Sequence, residues 1–231
     1  MGKATAIKTG IFLLLGTALW LGAGRADDSV IPANLTDTQK ANLKKILAAE
    51  EKPKRFIPDK AKFVGSPPEG LDQAPMPGAE IKQYLAAIVP YTTTDPKKSP
   101  EKAYVYWYRP NPKQGAPGVT IRRVVDLNSG QLVGEPEVLF NYATPVAPEE
   151  RTEAIRLARE KIPAVRDLFT DADEKEIAVD ALVQVITTTG LPEGAPGDRV
   201  VSLQFRKKNS TKRTTVMVNL TQQTARDANA P

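Results

Sequence analysis

The sequence predicts an α+β protein in which a helix packs on a curled antiparallel sheet, preceded by an N-terminal helical extension. Two observations lead to this fold class. Residues 103–140 alternate apolar and polar side chains and contain a tight-turn sequence, Asn128-Ser129-Gly130. Residues 145–168 are rich in glutamate and carry apolar residues at helical spacing, which predicts an amphipathic helix.

Six segments rich in alternating or β-branched residues predict strands. They are residues 103–109, 119–127, 131–133, 177–188, 199–206 and 212–220. Pro110 and the Pro/Gly-rich loop after it end the first strand, because they do not support a hydrogen-bonded ladder. We expect 119–133 and 199–220 to pair as antiparallel ribbons.

Three helices are predicted from capping signals and apolar spacing. Thr36-Asp37-Thr38-Gln39 has the spacing of a capping box and starts a helix that runs to about residue 51. Residues 78–89 predict a second, shorter helix. The helix within 145–168 begins near Pro148, and Pro163 is expected to break it.

The first 26 residues have the pattern of an export signal. Lys3 and Lys8 precede an apolar run, and Gly24-Arg25-Ala26 is a small-x-small cleavage sequence. We therefore expect a periplasmic or secreted protein, cut after Ala26 and then free of the membrane. The rest divides into an N-terminal helix with a Pro/Gly-rich extension, an α+β domain and a disordered tail. Their ranges are 27–98, 99–221 and 222–231.

The composition narrows the chemistry. The chain has no histidine and no cysteine, which removes imidazole-based nucleophile systems, imidazole metal sites and disulfides. The formal net charge of +5 comes partly from the leader, and no basic stripe is interleaved with aromatics, so we expect no nucleic-acid partner. The prediction is a noncatalytic module without catalytic residues, cofactor or metal, with another exported protein as its partner.

One group of residues is a candidate ligand site. Tyr104, Tyr106 and Tyr108 fall on one face of the first strand, and Arg109 and Arg122 lie near them in the predicted sheet. Such a face can stack a sugar ring or another planar ligand. The other interpretation is that these aromatics only pack within the sheet and shield its edge.

The sequence also contains a weak internal repeat. A strand followed by Gly-Ala-Pro-Gly and a second strand occurs twice, with the tetrapeptide at 115–118 and at 194–197. Val125-Asp126-Leu127 after the first copy is matched by Val218-Asn219-Leu220 after the second. The pattern indicates either an internal duplication or two loops of similar composition.

The order of these segments resembles the small N-terminal domains of copper amine oxidases. The similarity covers about residues 35–185 and is carried by the hairpin VVDLNSGQLVG and the helix APEERTEAIRLAREKIPAVRDLF. It implies a cystatin-like unit, a helix on an antiparallel sheet, without the catalytic domain. The family's cofactor motif, Thr-x-x-Asn-Tyr-Asp/Glu, is not met at Asn141-Tyr142, where Val138 and Ala143 replace the threonine and the acid. The hairpin is also similar to that of exported PepSY domains, which is the alternative family.

Overall fold

The computed structural model describes residues 30–52, 54–68, 71, 81–91, 99–113 and 115–229. Within these ranges the chain forms three α-helices and two β-sheets, so the α+β class is confirmed. The predicted leader and much of the Pro/Gly-rich extension lie outside the described residues. No helix in the described part of the chain is long and apolar enough to span a membrane.

Local sequence signals determine where the helices begin and end. At the start of α1, Gln39 N donates to Thr36 Oγ1 at 3.2 Å and Thr36 N donates to Gln39 Oε1 at 3.1 Å, which confirms the capping box. Pro163 separates α2 from α3, because proline has no N–H for a continuous helix. The helices are α1 Asp37–Glu50, α2 Pro148–Lys161 and α3 Pro163–Thr170.

Sheet one has five strands in the order β1-β5-β4-β3-β2. Strands β2 to β5 form an antiparallel meander, and β1 joins β5 in parallel. The predicted ribbon at 119–133 is confirmed, with Asp126 opposite Gln131 beside the turn. The strands are β1 Lys62–Val64, β2 Tyr84–Tyr91, β3 Lys102–Arg109, β4 Val119–Asp126 and β5 Gln131–Leu139.

Sheet two is an antiparallel meander of four strands in the order β6-β7-β8-β9. The predicted ribbon at 199–220 is also confirmed, because β7 and β8 pair along their length. The strands are β6 Ile177–Val185, β7 Arg199–Lys207, β8 Thr214–Asn219 and β9 Thr224–Asp227.

Each sheet has its own helical cover and its own core. The apolar face of α1 packs on sheet one, and those of α2 and α3 pack on sheet two. Burial of each large aliphatic side chain in such a core contributes about 1.5–3 kcal/mol. Fully buried members include Leu43, Leu47, Val105, Ile121 and Val125 in the first core, and Val165, Leu203, Phe205, Val216 and Val218 in the second.

Three features differ from the sequence prediction. The structure has two sheets rather than one, and the helix that covers the 119–133 ribbon is α1, which lies in the range assigned to an extension. The prediction of a helix at 78–89 is wrong, because Tyr84–Tyr91 pairs with β3 as an edge strand. Residues 222–231, predicted to be a disordered tail, contain β9, which pairs with β8.

The two sheets belong to units in which helical elements precede a four-stranded antiparallel meander. The first unit is α1, the short strand β1 and the meander β2 to β5; the second is α2, α3 and the meander β6 to β9. The last turn of each meander has the same construction. Ser129 N donates to Asp126 Oδ1, and Gln222 N donates to Asn219 Oδ1 at the same position. By contrast, the two Gly-Ala-Pro-Gly loops join β3 to β4 and β6 to β7, which are different positions in the meanders.

Candidate functional site

The tyrosines of β3 lie on the face of sheet one that points away from α1. Val105 and Trp107 belong to the core beneath α1, so the alternation of the strand places the tyrosines on the opposite face. There Tyr104 and Tyr106 pack with Ala86, Ala87 and Leu139 in a separate small cluster. No helix belongs to this cluster in the described part of the chain; Tyr104 is partly exposed on this face, whereas Tyr106 is only 8% exposed.

Four tyrosines from three parts of the chain form a row on this face. Tyr91 stacks on Tyr104 with ring centres 4.4 Å apart, and Tyr106 stacks on Tyr142 with ring centres 5.7 Å apart. Tyr104 and Tyr106 connect the two pairs, with ring centres 6.3 Å apart and tilted planes. We call Tyr91, Tyr104, Tyr106 and Tyr142 the tyrosine row. Ring stacking of this kind holds the side chains in place before any partner binds.

Arg122 is held against the tyrosine row. Its guanidinium lies 4.9 Å from the centre of the Tyr104 ring, and it forms an ion pair with Glu137 on β5. The side chains of Arg122 and Glu137 are 26% and 27% exposed. The pair is therefore reachable from solvent and adds charged hydrogen-bonding groups to an aromatic surface.

Two members of the tyrosine row, Tyr91 and Tyr106, are uncharged at neutral pH. Burial raises the pKa of Tyr91, and neighbouring Tyr104 adds to the effect. Burial also raises the pKa of Tyr106, and its hydrogen bond with Tyr142 raises it further. Since an unperturbed tyrosine already ionises near pH 10, these phenols remain hydrogen-bond donors and acceptors under physiological conditions.

Arg109 does not belong to this site, which corrects the sequence prediction. It lies on the same side of β3 as Trp107, and only 4% of it is exposed. Its Nε donates to Gln83 Oε1 at 2.8 Å, and its Nη1 donates to the carbonyl oxygen of Phe56 at 3.3 Å. Burial lowers the pKa of Arg109 to about 10. These contacts make Arg109 a structural residue that fixes the segment before β1.

Tyr108 shares the face of Tyr104 and Tyr106 but lies under the second unit. The Arg199 guanidinium is 4.3 Å from the centre of its ring, and burial raises the pKa of Tyr108. Beside it, a cavity of about 280 Å³ opens between the units, with Tyr84 and Glu150 among its lining residues. The predicted group therefore divides: Tyr104, Tyr106 and Arg122 come together, whereas Tyr108 joins the contact between units.

Sequence reasoning missed three members of the site. Tyr91 was not predicted, because its segment was interpreted as a helix that ends before Tyr91, whereas the segment is a strand. Tyr142 follows β5 and reaches the row because Asn141 takes a left-handed backbone conformation, with φ of 52°. Glu137 lies opposite Arg122 because the β4–β5 register shifts between Arg122 and Val124. The turn at 128–130 by itself would place Glu135 there, so no signal in the sequence indicated Glu137.

No family model, curated protein or solved structure matches this chain. Among the described residues, no group of three or more acidic, cysteine or histidine side chains is arranged to hold a metal ion. The fold and the site define an α+β protein of two helix-and-meander units, with an aromatic surface on the outer face of sheet one.

Proposed function

We propose that this protein is an exported, noncatalytic binding module, that its partner is another exported protein, and that the tyrosine row is the contact surface. The observation that carries the proposal is the group of pre-stacked tyrosines beside an Arg–Glu pair, on the sheet face away from α1. Tyrosine and arginine are enriched in the few residues that dominate protein–protein binding energies. Exposed Val89 and Val133 extend the same face with apolar surface.

Other features support the class of module. The export-signal pattern at 1–26 favours a location outside the cytoplasm, and the lack of histidine disfavours the commonest acid–base chemistry. A helix on an antiparallel meander is the arrangement implied by the resemblance to the cystatin-like N-terminal domains of copper amine oxidases. The PepSY-like alternative has the same consequence, because it also describes a noncatalytic exported domain.

A planar-ligand or carbohydrate site is the second candidate, and one observation favours it. Tyr142 is 44% exposed while it stacks on Tyr106, so part of its ring is available to a sugar. Tyr104 is less suited to that role, because Tyr91 and Arg122 already lie against its ring. A protein partner, which contacts ring edges and hydroxyl groups, suits the row better than a stacked sugar does.

Site-specific photocrosslinking in the exporting cell tests the proposal. A photoreactive residue at position 142 should give one discrete crosslinked protein, and the same residue at exposed position 208, in the turn after β7, should not. Tyr104→Ala should weaken binding of that protein by about 30-fold, because it removes a central aromatic contact. The same crosslinked bands at 142 and 208 would contradict the proposal.

Titration with a panel of disaccharides separates the second candidate from the first. Tyrosine NMR signals are the appropriate readout, because Trp107 lies in the core beneath α1, on the other side of the sheet. Shifts confined to the Tyr142 ring, together with no crosslinked protein, would favour the carbohydrate function.

A further inference from the structure

The outer edge of β6 has no partner strand among the described residues. β6 is the terminal strand of sheet two, and no described strand of the chain lies beyond it. Ile186, just after β6, exchanges backbone hydrogen bonds with the chain before β7, so even-numbered residues point toward β7. The N–H and C=O groups of the odd-numbered residues therefore point outward. These residues are Ile177, Val179, Ala181, Val183 and Val185.

A groove of about 460 Å³ lies between this edge and α2. Its apolar lining includes Ile155, Phe169 and Val179, which are all partly exposed. The Phe169 ring also packs against the aromatic ring of Phe205, so this part of the groove is anchored to the core of sheet two. The groove thus combines an unpaired backbone edge with an apolar surface beside it, which is how domains that add a peptide strand are built.

Three arginines of α2 line the groove, but two of them already have acidic partners. Arg156 pairs with Glu153 and Glu160, and Arg159 pairs with Glu174. Within the described ranges, Arg151 pairs with no carboxylate. Its Nη2 instead donates to the carbonyl oxygen of Val179 at 2.7 Å, on the outward edge of β6.

We infer that this groove binds an extended, acidic segment of a partner protein, which adds to β6 as a further strand. A backbone N–H of the bound segment takes the place of Arg151 Nη2 at Val179 O. The released guanidinium then pairs with a carboxylate of the segment. The apolar side chains of the segment cover Ile155 and Phe169. The inference is independent of the tyrosine row, which lies on sheet one.

Binding of two synthetic peptides to the purified protein tests the inference by fluorescence anisotropy. One is a blocked seven-residue peptide of valine and threonine with a central glutamate, and the other carries glutamine at that position. The glutamate peptide should bind about tenfold more tightly, because it gains a charge-assisted hydrogen bond to Arg151. Arg151→Ala should remove this preference, and Arg213→Ala, an exposed arginine outside the groove, should preserve it.

Ala181→Pro tests the edge itself. Its N–H points outward, so proline should be tolerated by the fold and still block the added strand. Val183→Pro serves as a second variant if the first does not melt cooperatively. Loss of peptide binding in a folded proline variant supports the inference. Unchanged binding in that variant, or equal affinity of the wild-type protein for the two peptides, would overturn it. Light scattering gives a further outcome that would overturn the inference. If the wild-type protein is a dimer, Ala181→Pro is a monomer and no peptide binds, a second copy of the chain occupies the edge.

Discussion

Replacing Arg199 with methionine should destabilise the protein by about 3–5 kcal/mol, because it leaves Glu150 as a buried carboxylate without its cation. The side chains of Arg199 and Glu150 are 1% and 2% exposed. Two hydrogen bonds join them, Nε to Oε1 at 2.6 Å and Nη2 to Oε2 at 2.8 Å. The same guanidinium packs on Tyr108, so the substitution also removes a contact between the two units.

Urea unfolding followed by circular dichroism measures the effect. A loss of this size corresponds to a fall in Tm of about 10 °C for a domain of this length. The double variant Arg199→Met with Glu150→Leu should recover most of the loss, because two apolar side chains need no ionic partner. It will still lack the bond from Ala147 N to Glu150 Oε2 that helps to start α2. A loss below about 1 kcal/mol in Arg199→Met, or a double variant less stable than the single one, would refute the reasoning.

Two further predictions concern turns in sheet one. Hydrogen bonds from Ser129 lower the pKa of Asp126, so its stabilising effect is present above pH of about 4, the unfolded value, and is lost as the pH falls further. Asp126→Ala should therefore reduce stability at pH 7 but have little effect at pH 2, measured by chemical unfolding; equal losses at both values would contradict this. Gly118→Ala should cost about 2 kcal/mol, because the new Cβ would meet Tyr108 Oη and lie 2.6 Å from Arg109 O. Gly134 has open space around it, so Gly134→Ala should cost only about 1 kcal/mol by the same measurement. Similar costs at both positions would argue against a steric conflict at Gly118.

The parts of the fold that local chemistry controls could be predicted from the sequence. The capping box of α1, the break at Pro163 and the turn at Gly130 each depend on residues close together in the chain. The alternation of β3 also assigned its tyrosines to one face. The same alternation places Arg109 with Trp107, so its exclusion from the site could have been predicted from odd and even numbering.

The remaining features depend on long-range pairing. In the segment of β2, Leu85 and Ile88 have helical spacing, and pairing with β3 rather than local propensity makes it a strand. The turn before β9 has no glycine, and Gln223 supplies the left-handed conformation with φ of 56°. The division into two sheets could not be predicted from strand patterns, because β3 in one sheet and β7 and β8 in the other show the same apolar alternation.

The repeated order of a helix and a meander gives the molecule two comparable outer faces. Counted from the final hairpin, Ser202 and Gln204 on β7 occupy the places that Tyr104 and Tyr106 hold on β3. One copy of the scaffold thus displays aromatic rings where the other displays small or amide side chains. Transplanting the two tyrosines to positions 202 and 204 leaves both cores untouched, so the recognition surface can be treated as separable from the scaffold that carries it.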